Sequence, residues 1–212
     1  MKRREVCKLL GALPLTGIAA VSANGAKPGG QGLYRVSGNV LVNGKPAKEG
    51  TLIRPGDTVV TGPGSEAVFV VGQDAYRQRG NSTVALLGDT IKGGLRVLSG
   101  GLLSVFAKGE RQIVTPSATI GIRGTGCYIE ASPERVYFCL CYGSAEVVPS
   151  AAPHQAETYS TRHHDHPLYI LPDGRRSMVP AGVSNHSDAE LIELESLVGR
   201  TPPFQGLVPS AY

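Results

Sequence analysis

The sequence predicts an all-β body closed by one C-terminal α-helix. Gly (28) and Pro (15) are abundant in the 212 residues and Trp is absent, a balance that favours turn-rich β structure. Short runs of β-branched and apolar residues recur between Tyr34 and Val148, each bounded by a turn signal. Convincing helical spacing follows only after Ser187.

The first residues are read apart from the fold. Lys2, Arg3 and Arg4 form a basic start, Leu9 to Val21 is apolar and small, and Val21-Ser22-Ala23 offers a small-x-small cleavage site. Pro14 and Gly17 interrupt an apolar run that is already too short to span a bilayer. The expectation is an export signal peptide over residues 1–23, a periplasmic protein, and no membrane span after cleavage. Arg3-Arg4, followed by Val6 and Lys8, also resembles a twin-arginine signal. The formal net charge of +4 comes mostly from Lys2, Arg3, Arg4 and Lys8. The remainder is nearly balanced, which speaks against a nucleic-acid partner.

Residues 24–32 are rich in Gly, Lys, Pro and Gln and read as a flexible leader. Strands are then expected at Val40–Asn43, Thr58–Thr61, Ala67–Val71, Tyr76–Arg79, Thr83–Leu87 and Leu95–Leu98. More follow at Leu102–Ala107, Ile113–Val114, Thr119–Ile122, Cys127–Ala131, Val136–Cys141 and Ala145–Val148. Their spacing suits a sandwich, a jelly roll or a β-helix-like stack. Gly124 and Gly126 flank Thr125 and allow a tight corner or bulge, and Arg123 is expected to brace it by donating to carbonyl oxygens. Residues 149–186 read as an irregular segment that carries a histidine cluster. Ser187 to Glu190 has the form of a capping box, and Leu191, Ile192, Leu194, Leu197 and Val198 follow at helical spacing. Gly199 suits the C-terminal cap of a helix over 187–199, with Pro202-Pro203 as the stop and 200–212 as a tail.

Several of these pieces occur together in one known family. They are Gly38 to Gly44 (GNVLVNG), Gly50 to Asp57 (GTLIRPGD), Val59 to Gly62 (VVTG), Ser65 to Ala67, Asn81 to Val84, Leu95 to Gly100, and Thr115 to Thr125 (TPSATIGIRGT). In order and spacing residues 33–148 resemble a FecR-type domain. The resemblance implies a FecR-type β body, in a family associated with iron-responsive signalling in which a periplasmic domain reports to a cytoplasmic sigma-factor system. The form expected here is a stand-alone exported one, without the cytoplasmic anti-sigma segment.

The resemblance does not account for Cys127, Cys139 and Cys141. Cys139 and Cys141 lie two apart on a strand and share a face. A two- or four-residue loop around Ser132 to Arg135 places Cys127 opposite Leu140, on the apolar side with Ile129, Phe138 and Val136. An odd loop or a bulge instead brings it across from Cys139 or Cys141. Downstream, alternation in an extended segment puts His164 and His166 on one face and His163 and Asp165 on the other. Cys139, Cys141, His164 and His166 would form a Cys2His2 set suited to tetrahedral zinc, with copper and iron as alternatives and His163 and Cys127 as substitute ligands. A redox thiol pair, or packed small residues beside a solvated loop, are the competing readings.

No nucleophile elbow, HExxH, phosphate loop or paired-carboxylate motif is present. The expected function is therefore a non-catalytic binding or sensing module. A metal-dependent enzyme using Asp165 or His163 as general base is the first alternative. The second is a structural or envelope-interaction protein that docks an envelope partner through Leu194 and Leu197.

Overall fold

In the computed structural model, described over residues 30–88 and 93–206, the β-type runs of the sequence join one branched sheet. The segment expected to be an export signal, most of the expected leader and the last residues of the tail lie outside the described residues. The first seven strands are β1 (Gly32–Ser37), β2 (Val40–Val42), β3 (Lys45–Pro46), β4 (Thr58–Thr61), β5 (Glu66–Val71), β6 (Asp74–Gln78) and β7 (Ser82–Leu86). Three long strands organise the rest: β8 (Gly94–Val105), β10 (Ala118–Ala131) and β11 (Val136–Pro149), with the short β9 (Glu110–Val114) between them. Residues 149–186, expected to be irregular, supply β12 (Glu157–Thr161), β13 (Leu168–Ile170) and β14 (Met178–Pro180). Each of these three is short and adds to an existing edge, so it carries little hydrophobic periodicity of its own.

The main path runs β14-β13-β11-β10-β9-β8-β7-β4-β2-β3 and does not close, with β1, β5 and β6 attached to β8 as a second arm. The long strands serve both arms. Residues 95–99 of β8 pair with β7, whereas 102–105 pair with β6 and β10. Likewise 119–123 of β10 pair with β9, and 126–131 with β8.

Glycines set the bends, and this explains why runs expected as separate strands are continuous. Gly100 (φ +76°) kinks β8, where a Cβ would stand 2.1 Å from Ser82 Oγ. The expected bulge at Gly124–Thr125–Gly126 is present as two register shifts between β10 and β11. Gly143 (φ +97°) faces it from β11, where a Cβ would lie 2.6 Å from Thr125 Cγ2. Arg123 does not brace this corner. Its exposed guanidinium pairs with the Glu110 carboxylate at 2.6 Å, because residue 123 points outward.

The sheet buries apolar side chains on both faces. One cluster gathers Val59, Phe69, Val84, Leu95, Ile113, Ile120, Ile129, Phe138 and Leu140. The other lies under helix α1 (Asp188–Leu197), where Leu191, Leu194 and Leu197 cover Val68, Val70, Leu103, Val105 and Tyr128. The capping box forms as expected: Ser187 Oγ accepts from Glu190 N, and Ser187 N donates to Glu190 Oε2 at 3.0 Å. At the other end Gly199 (φ +68°) donates to Ser196 O and Arg200 N donates to Glu195 O, a Schellman closure. Polar contacts also hold the helix. Arg77 and Arg79 of β6 and its end pair with Glu190, and Arg35 and Arg77 pair with Glu193.

Candidate metal centre

Strand register decides the two faces of β11. Ala131 pairs with Val136 across a four-residue loop, so Cys127 stands opposite Leu140 and Tyr128 opposite Cys139. Cys127 joins Ile129, Phe138 and Leu140 in the core, where burial pushes its thiol well above the ordinary range. It is thus placed on the wrong face to substitute as a ligand. Cys139 and Cys141 point the other way, under α1, and both are fully buried.

The turn after β12 brings the first imidazole. Thr161 Oγ1 accepts from Asp165 N at 3.0 Å, and Asp165 Oδ2 accepts from Arg162 N at 3.2 Å. Asp165 therefore caps its own turn at the surface, and the Thr161 hydrogen bond holds its carboxyl below the usual range. The turn forces His164 into the left-handed region (φ +52°), a conformation that costs a non-glycine residue about 1–2 kcal/mol. In return His164 N donates to Cys141 O at 3.0 Å, which pins the histidine to β11.

That left-handed residue is what separates His164 from His166. Alternation holds only in extended backbone, and here the chain turns between the two. His166 is exposed and faces the Tyr159 ring, 6.2 Å away between centroids. The place expected for it is taken by His186, just ahead of the helix N-cap. The Cys139, Cys141, His164 and His186 ligand atoms all lie within 4.8 Å of one another, and all four residues are buried. His163 is held outside this set, its Nε2 at 2.9 Å from both Asp188 oxygens and its ring against Phe204.

Hydrogen bonds orient both rings. His186 Nδ1 lies 2.7 Å from Ser184 O and can only donate to it, so Nε2 carries the lone pair. Tyr128 stacks on the same ring at 4.8 Å. His164 Nε2 lies 3.1 Å from the carboxylate of Asp188, the first residue of α1, and donates there. The remaining nitrogens, His164 Nδ1 and His186 Nε2, converge at 3.1 Å, with Cys139 Sγ 3.3 Å from the former.

Two neutral rings in these tautomers would direct lone pairs at each other, so the centre calls for a positive charge between them, a proton or a metal ion. The electrostatics agree. Burial opposes charge on His164, but Cys139 and then Asp188 outweigh it and hold the imidazole above its ordinary range. The Cys141 thiol, followed by the His164 and His186 rings, overcomes burial and holds Cys139 well below the thiol range. Burial, with Cys139 next, pushes Cys141 up.

The spacing suits zinc. Tetrahedral zinc with bonds of about 2.0–2.1 Å to N and about 2.3 Å to S has N···N edges of about 3.3 Å and N···S edges of about 3.6 Å. The observed 3.1 and 3.3 Å fall close to these. Carboxylate and carbonyl acceptors on the outer ring nitrogens are the usual support for metal-bound histidine. The Asp188–His164–Cys139 chain also has the form of an activated thiol, but Cys139 is 0% exposed and offers a substrate no approach.

No protein-family model matches this chain, and neither does any curated protein. Solved structures do. One from Parabacteroides distasonis ATCC 8503, described as a "putative anti-sigma factor" and determined at 1.65 Å, aligns with a TM-score of 0.50 at 9% identity. The alignment covers 59% of this chain and 59% of that one. A second structure from the same organism with the same description, at 2.50 Å, gives a TM-score of 0.49 at 9% identity over 64% of this chain and 71% of its own. The likeness is one of fold, and it supports a FecR-like fold for this chain.

Proposed function

We propose that this protein is an exported FecR-like binding or sensing module of the periplasm, without catalysis, that carries one zinc ion on Cys139, Cys141, His164 and His186. The convergence of His164 Nδ1 and His186 Nε2 at 3.1 Å beside two buried cysteines carries the reading. The set offers four side-chain ligands, the composition of a structural rather than a catalytic zinc site. Export rests on the basic start at Lys2-Arg3-Arg4 and the apolar run from Leu9 to Val21. A solved structure of like fold is described as a "putative anti-sigma factor", and a role through contact with another protein is extended from it to this chain. No helix among the described residues is long and apolar enough to cross a membrane.

Elemental analysis of the full chain is the test. About one zinc per chain is expected, and cobalt substitution should give thiolate-to-cobalt absorption with tetrahedral d–d bands. Protein that holds no metal as isolated and takes up none from added zinc would overturn the proposal.

A further inference from the structure

The centre and helix α1 share residues. His186 immediately precedes the N-cap Ser187, and Asp188, the first helical residue, accepts from His163 and His164. Glu190, which closes the capping box, also accepts from Arg77 and Arg79 on the sheet. On the sheet side Cys139 lies in line with Tyr128 and Leu103 across β11, β10 and β8, the surface that α1 covers. A helix of ten residues is marginal on its own, so its persistence comes from docking. The last two turns dock through Leu194 and Leu197, whereas the first turn docks through Asp188 on the imidazoles, Glu190 on Arg77 and Arg79, and Leu191 in the apolar cluster.

We propose that metal occupancy of this centre governs the docking of α1: the bound ion holds the first turn of the helix against β11, and its loss releases the helix from the sheet. The proposal rests on the metal reading above. With the ion in place, β11, the turn after β12 and the segment before α1 are joined through one atom. Without it, the two rings aim lone pairs at each other or enclose a proton, and the segment before α1 keeps its hydrogen bonds to Tyr137 of β11 through Gly182 and Ser184. Release would expose more of Val68, Val70, Leu103 and Val105, which share one apolar cluster with Leu191, Leu194 and Leu197 in the folded state.

Hydrogen exchange read by mass spectrometry on the full chain tests this, with zinc bound and after chelation, metal content being measured on the same samples. The expected result is exchange in 188–197 at least about tenfold faster without zinc, while peptides over β4 and β7 keep their protection. Asp188→Asn, which keeps all four ligands, should bind zinc at saturation and still show slower exchange in α1 with zinc than without it. If zinc binds and exchange in α1 is the same with and without it, the helix coupling is wrong and the metal centre stands. If chelation unprotects β4 and β7 as much as α1, the ion is a global folding element and the coupling is again wrong. If no zinc binds at all, the metal reading itself falls, and this proposal with it.

Discussion

Asp188 accepts a hydrogen bond from His164 Nε2 at 3.1 Å, and that contact turns the other nitrogen of His164 towards Cys139 and His186. One carboxylate at the start of a helix thus selects the tautomer of a histidine on a turn 24 residues upstream. The direction of that ring sets His164 and His186 together beside Cys139, apart from His163 and His166.

His186→Ala should therefore lower zinc affinity by at least about 100-fold, and His166→Ala should leave it unchanged. Cys127→Ala, on the opposite face of the hairpin, should retain the metal while losing stability. Competition with a chromophoric chelator measures all three. Equal affinities for His186→Ala and His166→Ala would return the ligand set to the sequence-based one.

Acid should loosen the helix through Glu190. Burial pushes its carboxyl up, but the hydrogen bond and charge of Arg79, and then Arg77, hold it below its ordinary value of 4.5. A group depressed in the folded state contributes stability above its unfolded pKa and loses it as pH falls through the folded value. Thermal stability should then fall below about pH 4.5, and Glu190→Gln should be less stable at pH 7 with a flatter acid limb. Parallel melting curves for both proteins from pH 7 to pH 3 would contradict this.

Leu194 of α1 is completely buried against the sheet, and Leu197 is 8% exposed, so neither is available to an envelope partner while the helix is docked. Leu194→Ala should cost about 2–5 kcal/mol of folding stability. Ile192, 38% exposed, should tolerate Lys within about 0.5 kcal/mol. Urea denaturation distinguishes the two, and a neutral Leu194→Ala would mean that the helix packs elsewhere in solution.

Gly143→Ala should destabilise by more than about 1 kcal/mol, since φ is +97° and the added Cβ would sit 2.6 Å from Thr125 Cγ2. Gly44→Ala, at φ +75° with nothing within 4 Å, should suffer the backbone penalty alone. The difference between the two melting temperatures isolates the close approach of β11 to the β10 bulge.

Where local chemistry decides structure, the sequence was legible. Ser187 and Glu190 announced a capping box that is present atom for atom, and the four-residue loop after Ala131 placed Cys127 opposite Leu140. Gly100 and Gly143 were harder, because a glycine that bends a strand and one that ends it look alike until the neighbouring strand is known. The pairing of β12, β13 and β14 depends on the edges that β11 and its neighbours offer rather than on their own composition. His186 was missed for the same reason. It is 22 residues from His164 and meets it only because α1 lies on the face that carries Cys139 and Cys141. The proximity of a histidine to a helix start was the available clue, given that the helix had to cover some face of the sheet.

The long strands have a consequence for how the molecule comes apart. Since β8 and β10 each lend one half to either arm, no seam exists along which an arm could melt while its neighbour persists. Unzipping β8 along its length strips ladder hydrogen bonds on both sides of the kink at Gly100. The body should accordingly unfold in one cooperative transition, and a nick at that kink should yield no half that keeps its shape.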